Sequence, residues 1–178
     1  AYVRLFDEKG EEISSESFGE IEIGLIYSQI KNGEALIIDN CYIRDFSLQA
    51  YRKLNGLEKK APVSIRSISA RNSFFEAQLA TDFSYSSFQD GNISFEGSQF
   101  VKGRVNFTGS FFGDGIVNFS NTLFRNGNVE FTGSVFGEGD FLFKNAVVRD
   151  GVKDFQDIQF GKGEVTFANT EFNYGELL

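Results

Sequence analysis

The chain offers few side chains of the kinds that carry out catalysis. It contains no histidine, which excludes a His general base, a Ser–His or Cys–His pair and a His metal ligand. Its one cysteine, Cys41, is the lone candidate nucleophile, but its neighbours Ile38 and Ile43 favour a small buried thiol. No glycine-rich phosphate loop follows a predicted strand. The sequence therefore predicts no enzyme activity, no catalytic residue, and no bound cofactor or metal.

Acidic side chains nevertheless recur at one position of an internal repeat. Asp90, Asp114 and Glu138 follow one another at intervals of 24 residues. If 24 residues complete one coil of a solenoid, these acids stack in a column that is able to bind a cation or to act as paired carboxylates. Each acid also precedes a glycine, and such dipeptides are typical of tight turns. We favour the turn interpretation and keep the other as an alternative.

A lysine interrupts the apolar pattern. Lys153 stands where the other repeats carry an inward Ile, Val or Phe, and Ile158 stands where most carry a small residue. A buried amine there would have a shifted pKa and a functional role. We expect instead a local distortion that turns Lys153 to solvent while Ile158 fills the space.

All of these residues are positioned by a 12-residue repeat that spans residues 91 to 175. Gly opens every copy, Phe is its fifth residue in all seven copies, and Phe is its tenth residue in six of the seven. The third and fifth residues share one side of a strand, as do the eighth and tenth, because strand side chains alternate. Neither short strand buries its Phe alone, so the copies must stack into a parallel β-solenoid.

The eleventh position of the repeat indicates how many copies make one coil. It is glycine in alternate copies only, at Gly113, Gly137 and Gly161. This alternation favours two copies per coil, which gives about 24 residues, four sides and strands about 4.8 Å apart. A coil of 12 residues is too narrow for the two Phe and one Val of each copy.

A five-residue pattern runs through the repeats and reads Val105-Asn-Phe107-Thr-Gly109, followed by Ser110-Phe-Phe112. In this pattern the chain resembles the pentapeptide-repeat proteins over roughly residues 63–178. The resemblance implies a right-handed quadrilateral parallel β-helix. It also implies a homodimer contact at the C-terminal end, on Phe172, Tyr174, Leu177 and Leu178. The chain departs from the family pattern by two extra residues for each pair of pentapeptides.

We therefore predict an all-β chain in which residues 1–178 form a single solenoid domain. Residues 1–18 are expected to form a hairpin that caps the N-terminal end. Residues 19–90 are expected to form degenerate coils that use Ile in place of Phe, for example at Ile21 and Ile23. An insertion near residues 46–62 is expected to hold a short amphipathic helix. Residues 91–178 carry the regular repeats.

The ninth position of the repeat faces outward yet is apolar in four successive copies, at Phe111, Leu123, Val135 and Val147. On coils of about 24 residues these side chains form two strips on opposite faces, Phe111 with Val135 and Leu123 with Val147. Exposed apolar strips mark contact surfaces. Apolar residues also pair across neighbouring strands for stability alone, and both interpretations stay open.

Charge and composition limit the kinds of partner and the compartment that we expect for the chain. The formal charge of −8 argues against direct nucleic-acid binding, which needs a basic patch. We find no apolar run long enough to span a membrane and no signal peptide, and with a single cysteine this leads us to expect a cytoplasmic protein.

The sequence thus favours a non-catalytic interaction or structural module that binds a protein partner or self-associates, for example as a homodimer. The resemblance implies an alternative, a DNA-mimicking protein that binds a type II topoisomerase, which requires a continuous acidic stripe. Basic residues interrupt the acids here, at Lys102, Arg104, Arg125, Lys144, Arg149 and Lys162. A carbohydrate-active β-helix is a third alternative.

Overall fold

The computed structural model describes residues 1–6, 9–89 and 91–178, and the described chain consists mostly of short strands in parallel sheets with few helices. Two helices are present among the described residues, α1 (Ile23–Lys31) and α2 (Leu48–Leu54). The strands before the regular repeats are β1 (Tyr2–Phe6), β2 (Glu12–Ser17), β3 (Gly19–Glu20), β4 (Leu36–Ile37), β5 (Cys41–Arg44), β6 (Val63–Ile65), β7 (Ile68–Ser69), β8 (Phe74–Asp82) and β9 (Ser86–Phe88). Those within the repeats are β10 (Ile93–Ser94), β11 (Gln99–Asn106), β12 (Val117–Asn118), β13 (Leu123–Phe124), β14 (Val129–Glu130), β15 (Phe141–Leu142), β16 (Val147–Val148), β17 (Lys153–Asp154), β18 (Val165–Thr166) and β19 (Glu171–Phe172).

The repeats pair in parallel and in register. One ladder runs from Ile93 through Val117 and Phe141 to Val165. A second runs from Gln99 through Leu123 and Val147 to Glu171. A third joins Val105, Val129, Lys153 and Leu177, and a fourth joins Ser87, Phe111, Val135 and Gln159. In all four ladders the paired residues lie 24 positions apart in the sequence. The side chains of Asn121 and Asn145, which are also 24 positions apart, are hydrogen-bonded to each other. The predicted parallel β-solenoid is confirmed.

The core consists of stacked phenylalanine rings, as the repeat predicts. Phe107 stacks on Phe83 at 4.8 Å and on Phe131 at 5.0 Å between ring centroids, with interplanar angles of 5° and 6°. Other stacks join Phe88, Phe112 and Phe136, join Phe100 to Phe124, and join Phe95 to Phe119. Rings of neighbouring stacks meet edge to face, as Phe107 does with Phe119. Both geometries are favoured by aromatic quadrupoles, so the core gains energy beyond simple burial.

One repeat exchanges its large and small core residues. Phe141 takes the third position, where most copies have Val or Ile, and Val148 takes the tenth, where the other copies have Phe. Both are buried. The Phe143 ring is tilted by 43° from Phe119 and instead lies parallel to Phe124, at 4°. The exchange of large and small side chains, together with the changed orientation of the Phe143 ring, keeps the core filled. Protein interiors are close-packed and lose stability when a void is left.

Small hydroxyl residues at the eighth position of the repeat have a specific polar role. The hydroxyls of Ser110, Thr122 and Ser134 donate to the carbonyls of Phe83, Phe95 and Phe107 at 3.0, 2.9 and 2.8 Å. The sequence indicated only that this position is small. Because a buried hydroxyl needs a hydrogen-bond partner, these carbonyls, which also accept from the backbone N–H groups of Ser86, Ser98 and Ser110, allow Ser and Thr to occupy a position that must be small.

Glycine opens every repeat because neighbouring corners approach too closely for a side chain. A Cβ added to Gly115 would lie 2.4 Å from the carbonyl oxygen of Gly91, and one added to Gly139 would lie 2.2 Å from that of Gly115. Neither of these two residues has a positive φ, so close approach alone requires glycine there. The glycines that open the alternate repeats also have a positive φ, so both the close approach and the backbone conformation require glycine at Gly103, Gly127, Gly151 and Gly175. The seventh position is different, since Asn121 and Asn145 adopt φ of 58° and 54° there, a conformation that Gly, Asn and Asp tolerate.

The N-terminal part agrees with the prediction in two elements. Strands β1 and β2 pair antiparallel as a hairpin. Asp7 and Glu8 lie outside the described residues. Helix α2 begins at the predicted insertion, where Ser47 caps it by accepting from the backbone N–H of Ala50 at 3.2 Å.

Two features of the N-terminal part differ from the prediction. Residues from Ile23 form helix α1 and not a strand, because Ile26 and Ile30, four residues apart, bury one helical face in the core. None of the described hairpin residues belongs to the buried core, whereas Ile26 and Ile30 of α1 do. The hairpin lies beside the outward residues Tyr42 and Phe74. Val3 and other hairpin residues line a cleft together with these two residues.

Candidate interaction surfaces

The two predicted apolar strips exist as columns of paired residues. Phe111 pairs with Val135, and Leu123 pairs with Val147, each pair in parallel register. The Phe111 side chain is 45% exposed, while the other three residues are half-buried. The structure therefore brings the residues together as predicted, and whether a partner covers them stays a prediction.

The chain itself covers the upstream end of one strip. The column of Leu123 and Val147 continues through Gln99 to Phe74 and Tyr42. Phe74 and Tyr42 are outward residues, yet both are buried. The ring of Phe18, which follows the hairpin, packs on Phe74 at 5.6 Å. At its upstream end, this face of the solenoid is therefore covered by another segment of the chain, the one that contains Phe18.

The predicted C-terminal contact residues lie at the last strands of the ladders. Tyr174 is 82% exposed, Leu177 and Leu178 are exposed, and Phe172 is half-buried against the rings of Phe155 and Phe167. Phe160, in the preceding repeat, and Val165, in the same repeat as Phe172 and Tyr174, are each 40% exposed and add apolar surface. These side chains form a second apolar surface, distinct from the strips.

The expectation that Lys153 turns to solvent is wrong. The residue is 1% exposed, and its Nζ donates to the carbonyl oxygens of Asn173, at 2.6 Å, and Tyr174. Burial lowers the pKa of the Lys153 amine. The hydrogen bonds to these two carbonyls offset the cost of burying the amine. Ile158, in the same repeat, is half-buried. Lys153 therefore ties the last turn to the solenoid.

The acidic column supports the turn interpretation where it is described. Asp90 lies outside the described residues. Asp114 accepts a hydrogen bond from the backbone N–H of Glu138 at 3.0 Å, and Glu138 pairs with Lys162 at 3.1 Å. Asp140 accepts from the backbone N–H of Glu164 in the same way, at 2.8 Å. Within residues 1–6, 9–89 and 91–178, no group of three or more potential metal ligands is found.

Cys41 has the surroundings of an inert thiol. It is half-buried, and its Sγ donates to the Asp39 carbonyl at 3.3 Å. Burial, together with the charge of Asp39, raises the pKa of the Cys41 thiol. Because the thiolate is the reactive form, this position is poorly suited to nucleophilic chemistry.

A basic cleft is the feature that the sequence did not reveal. Helix α2 and the loop after it bring Arg52, Lys59 and Lys60 beside Tyr85 and Arg104 of the solenoid. Tyr85 holds the seventh position of a degenerate repeat, where the regular copies have Gly, Asn or Asp. In the sequence, this bulky residue at a corner was the one sign that the corner differs from the others.

Ion pairs place basic side chains beside acidic ones on the surface of the solenoid. Arg104 pairs with Glu130 at 3.6 Å, and Lys144 pairs with Glu164 at 3.5 Å. Basic side chains therefore lie among the acids.

Neither helix of the described chain has the length and apolar character needed to cross a membrane. Comparison of the chain with protein-family models, with curated proteins and with solved structures finds no match.

Proposed function

We propose that this chain is a non-catalytic interaction module that associates with a second copy of itself through its outward apolar surfaces. The proposed scaffold is a right-handed, four-sided β-helix of about 24 residues per coil. The four ladders of residues paired 24 positions apart support the coil size and the four sides. The right-handed form is the one that the resemblance to pentapeptide-repeat proteins implies.

The observation that carries the proposal is the partly covered column of β5, β8, β11, β13 and β16. Its upstream aromatic residues are buried under the hairpin region, and its downstream residues Leu123 and Val147 are not. A surface that accepts a segment within the chain at one end offers the same apolar, pleated face to another molecule at the other. The Phe111–Val135 strip and the C-terminal residues enlarge the apolar surface available to a second copy.

We expect the purified chain to form a concentration-dependent dimer in analytical ultracentrifugation. On the proposed coil the two strips lie on opposite faces, so a closed dimer buries one of them. Changing Leu123 and Val147 together to Ser removes apolar contact area from the column that carries the proposal and should weaken the dimer by at least about tenfold. Changing Phe111 and Val135 together to Ser tests whether the opposite strip is used instead. Changing Tyr174 and Leu177 to Ser tests the C-terminal surface in the same way.

The control for these variants is Leu79→Ser, which removes an exposed apolar side chain outside both strips and the C-terminal surface. It should leave the dimer unchanged. A wild-type chain that stays monomeric over the whole accessible concentration range would refute self-association. Equal weakening by Leu79→Ser would show that the strips have no special part in it.

The alternative functions have less support. A DNA mimic needs an unbroken acidic face, and the ion pairs of Arg104, Lys144 and Lys162 place positive charge within the acidic surface. A carbohydrate-active site needs free paired carboxylates, whereas Asp114 and Asp140 accept backbone hydrogen bonds at corners.

A further inference from the structure

A polar cleft of about 300 Å³ lies between helix α2, the loop that follows it and one face of the solenoid. Its walls share no residue with the apolar strips or the C-terminal surface. The lining residues that bear on its chemistry are Arg52, Lys59, Lys60, Asp82, Tyr85 and Arg104.

The charge of this cleft is opposite to that of the whole chain. Four bases line it, against the two carboxylates Asp82 and Glu130, in a protein of net charge −8. Both carboxylates are engaged. Asp82 accepts from the backbone N–H of Gln49 at 2.8 Å and from the amide of Asn106 at 3.2 Å, and Glu130 pairs with Arg104. Lys59 and Lys60 form no ion pair within 4.0 Å with any residue that the structure describes.

Arg52 anchors the loop that carries the two lysines. Its side chain is buried, its Nε donates to the Ala61 carbonyl at 2.8 Å, and its Nη2 donates to the Ser84 carbonyl. These bonds join the loop that carries Lys59 and Lys60 to the end of β8. A buried guanidinium with fixed acceptors is a rigid support, so the lysines start from a loop that is anchored at the cleft.

Tyr85, which lines the cleft, has a strained backbone conformation. Its φ is 52°, and every other described non-glycine residue with positive φ is Asn or Asp. The Arg52 guanidinium carbon lies 5.6 Å from the Tyr85 ring centroid, and the Lys60 Nζ lies 5.8 Å from it. Strained residues that persist in folded proteins cluster at functional sites. The Tyr85 ring also packs on the corner glycine Gly109, where an added Cβ would lie 2.7 Å from the ring, whereas Asn121 and Asn145 form the equivalent corner without a ring.

We propose that this cleft binds the dianionic phosphate group of a small phosphate monoester. Lys59 and Lys60, which have no ion-pair partner among the described residues, supply the charge, and the hydroxyls of Tyr85 and Thr108 line the cleft as neutral donors. A group with two negative charges matches the excess of two bases in the lining. Tyr85 contacts the organic part of the ester beside the phosphate, and Arg52 is a positioning residue.

The proposal is tested by isothermal titration calorimetry of the full chain with glycerol phosphate, inorganic phosphate and acetate, in a chloride buffer of low ionic strength. We expect saturable binding of glycerol phosphate, weaker binding of inorganic phosphate and none of acetate. The double variant Lys59→Gln, Lys60→Gln should weaken binding of both phosphates about tenfold or more, since it removes two charged donors. Lys162→Gln removes a charge outside the cleft and should leave binding within about twofold.

Tyr85→Asn separates a binding role from a structural one. It installs the residue that Asn121 and Asn145 provide at the same type of corner. We expect an unchanged or higher Tm and binding of glycerol phosphate reduced to the level of inorganic phosphate. A lower Tm with unchanged binding would overturn the role of Tyr85. Absence of saturable phosphate binding, acetate binding of equal strength, or equal losses in the Lys162→Gln variant would overturn the site. None of these outcomes depends on whether the chain dimerises.

Discussion

Replacing Phe107 with Ala is expected to lower the free energy of unfolding by about 3–5 kcal/mol, the usual cost of removing a large buried ring. Phe107 is fully buried and stacks on rings both above and below it, Phe83 and Phe131. Since the neighbouring rings are held in their own stacks, they have little freedom to close the cavity. Urea unfolding followed by far-ultraviolet circular dichroism measures the loss in a chain without tryptophan.

The matched control for this variant is Phe111→Ala, which removes the same ring from the same repeat. Phe111 faces outward and is 45% exposed, so we expect a loss of less than about 1.5 kcal/mol from its partial burial. Losses of equal size at the two positions would contradict the inward and outward assignment of the repeat.

Gly139→Ala is expected to lower the free energy of unfolding by about 3 kcal/mol, at the upper end of what overpacking usually costs. The added methyl would lie 2.2 Å from the Gly115 carbonyl oxygen and 2.5 Å from that of Asp114. Both obstacles are backbone atoms. Moving them would stretch neighbouring inter-coil hydrogen bonds, such as the 2.8 Å bond from the Gly137 N–H to the Gly113 carbonyl. Thermal unfolding followed by circular dichroism measures the effect.

Gly133→Asn provides the control for the glycine variant. Gly133 has a φ of 64° but no atom within 4 Å of an added Cβ. Asn adopts this conformation at Asn121 and Asn145, so the exchange should cost less than about 1 kcal/mol. If Gly139→Ala were tolerated as well as Gly133→Asn, close approach of the corners would not explain the invariant glycine.

The regular repeats were predictable because local pattern and tertiary packing agree there. A two-residue alternation in strands fixes which side of each strand is inward, and the buried Phe107, Phe119 and Phe131 follow from it. The pairing of Phe111 with Val135 and of Leu123 with Val147 followed from one further inference, the alternation of glycine at the eleventh position.

The features that escaped prediction depend on contacts between distant parts of the chain. Helix α1 was missed because Ile21 and Ile23 alternate as in a strand, whereas the spacing that decides is that of Ile26 and Ile30. The burial of Lys153 depends on carbonyl groups 20 and 21 residues later. No periodicity of the sequence reports such a contact.

The basic cleft was not predicted from the sequence for the same reason. Arg52, Lys60 and Tyr85 belong to a helix, a loop and a strand junction, and only the fold brings them together. The hydroxyl bonds of the eighth position were equally hidden, because Ser134 and its acceptor Phe107 are 27 residues apart. In the sequence, the position shows only a preference for small residues.

The proposed coil of about 24 residues, on which the two separate strips depend, is tested most directly by disulfide formation in a Cys41→Ser background. The pair Leu123→Cys, Val147→Cys places two cysteines on adjacent parallel strands, where Cα atoms are about 4.8 Å apart and within the range that a disulfide spans. The pair Leu123→Cys, Val135→Cys has half the sequence separation and, on the proposed coil, lies on opposite faces. In dilute protein under mild oxidation, we predict rapid intramolecular disulfide formation in the first pair and none in the second. Equally rapid formation in the second pair, or its absence in the first, would contradict the account.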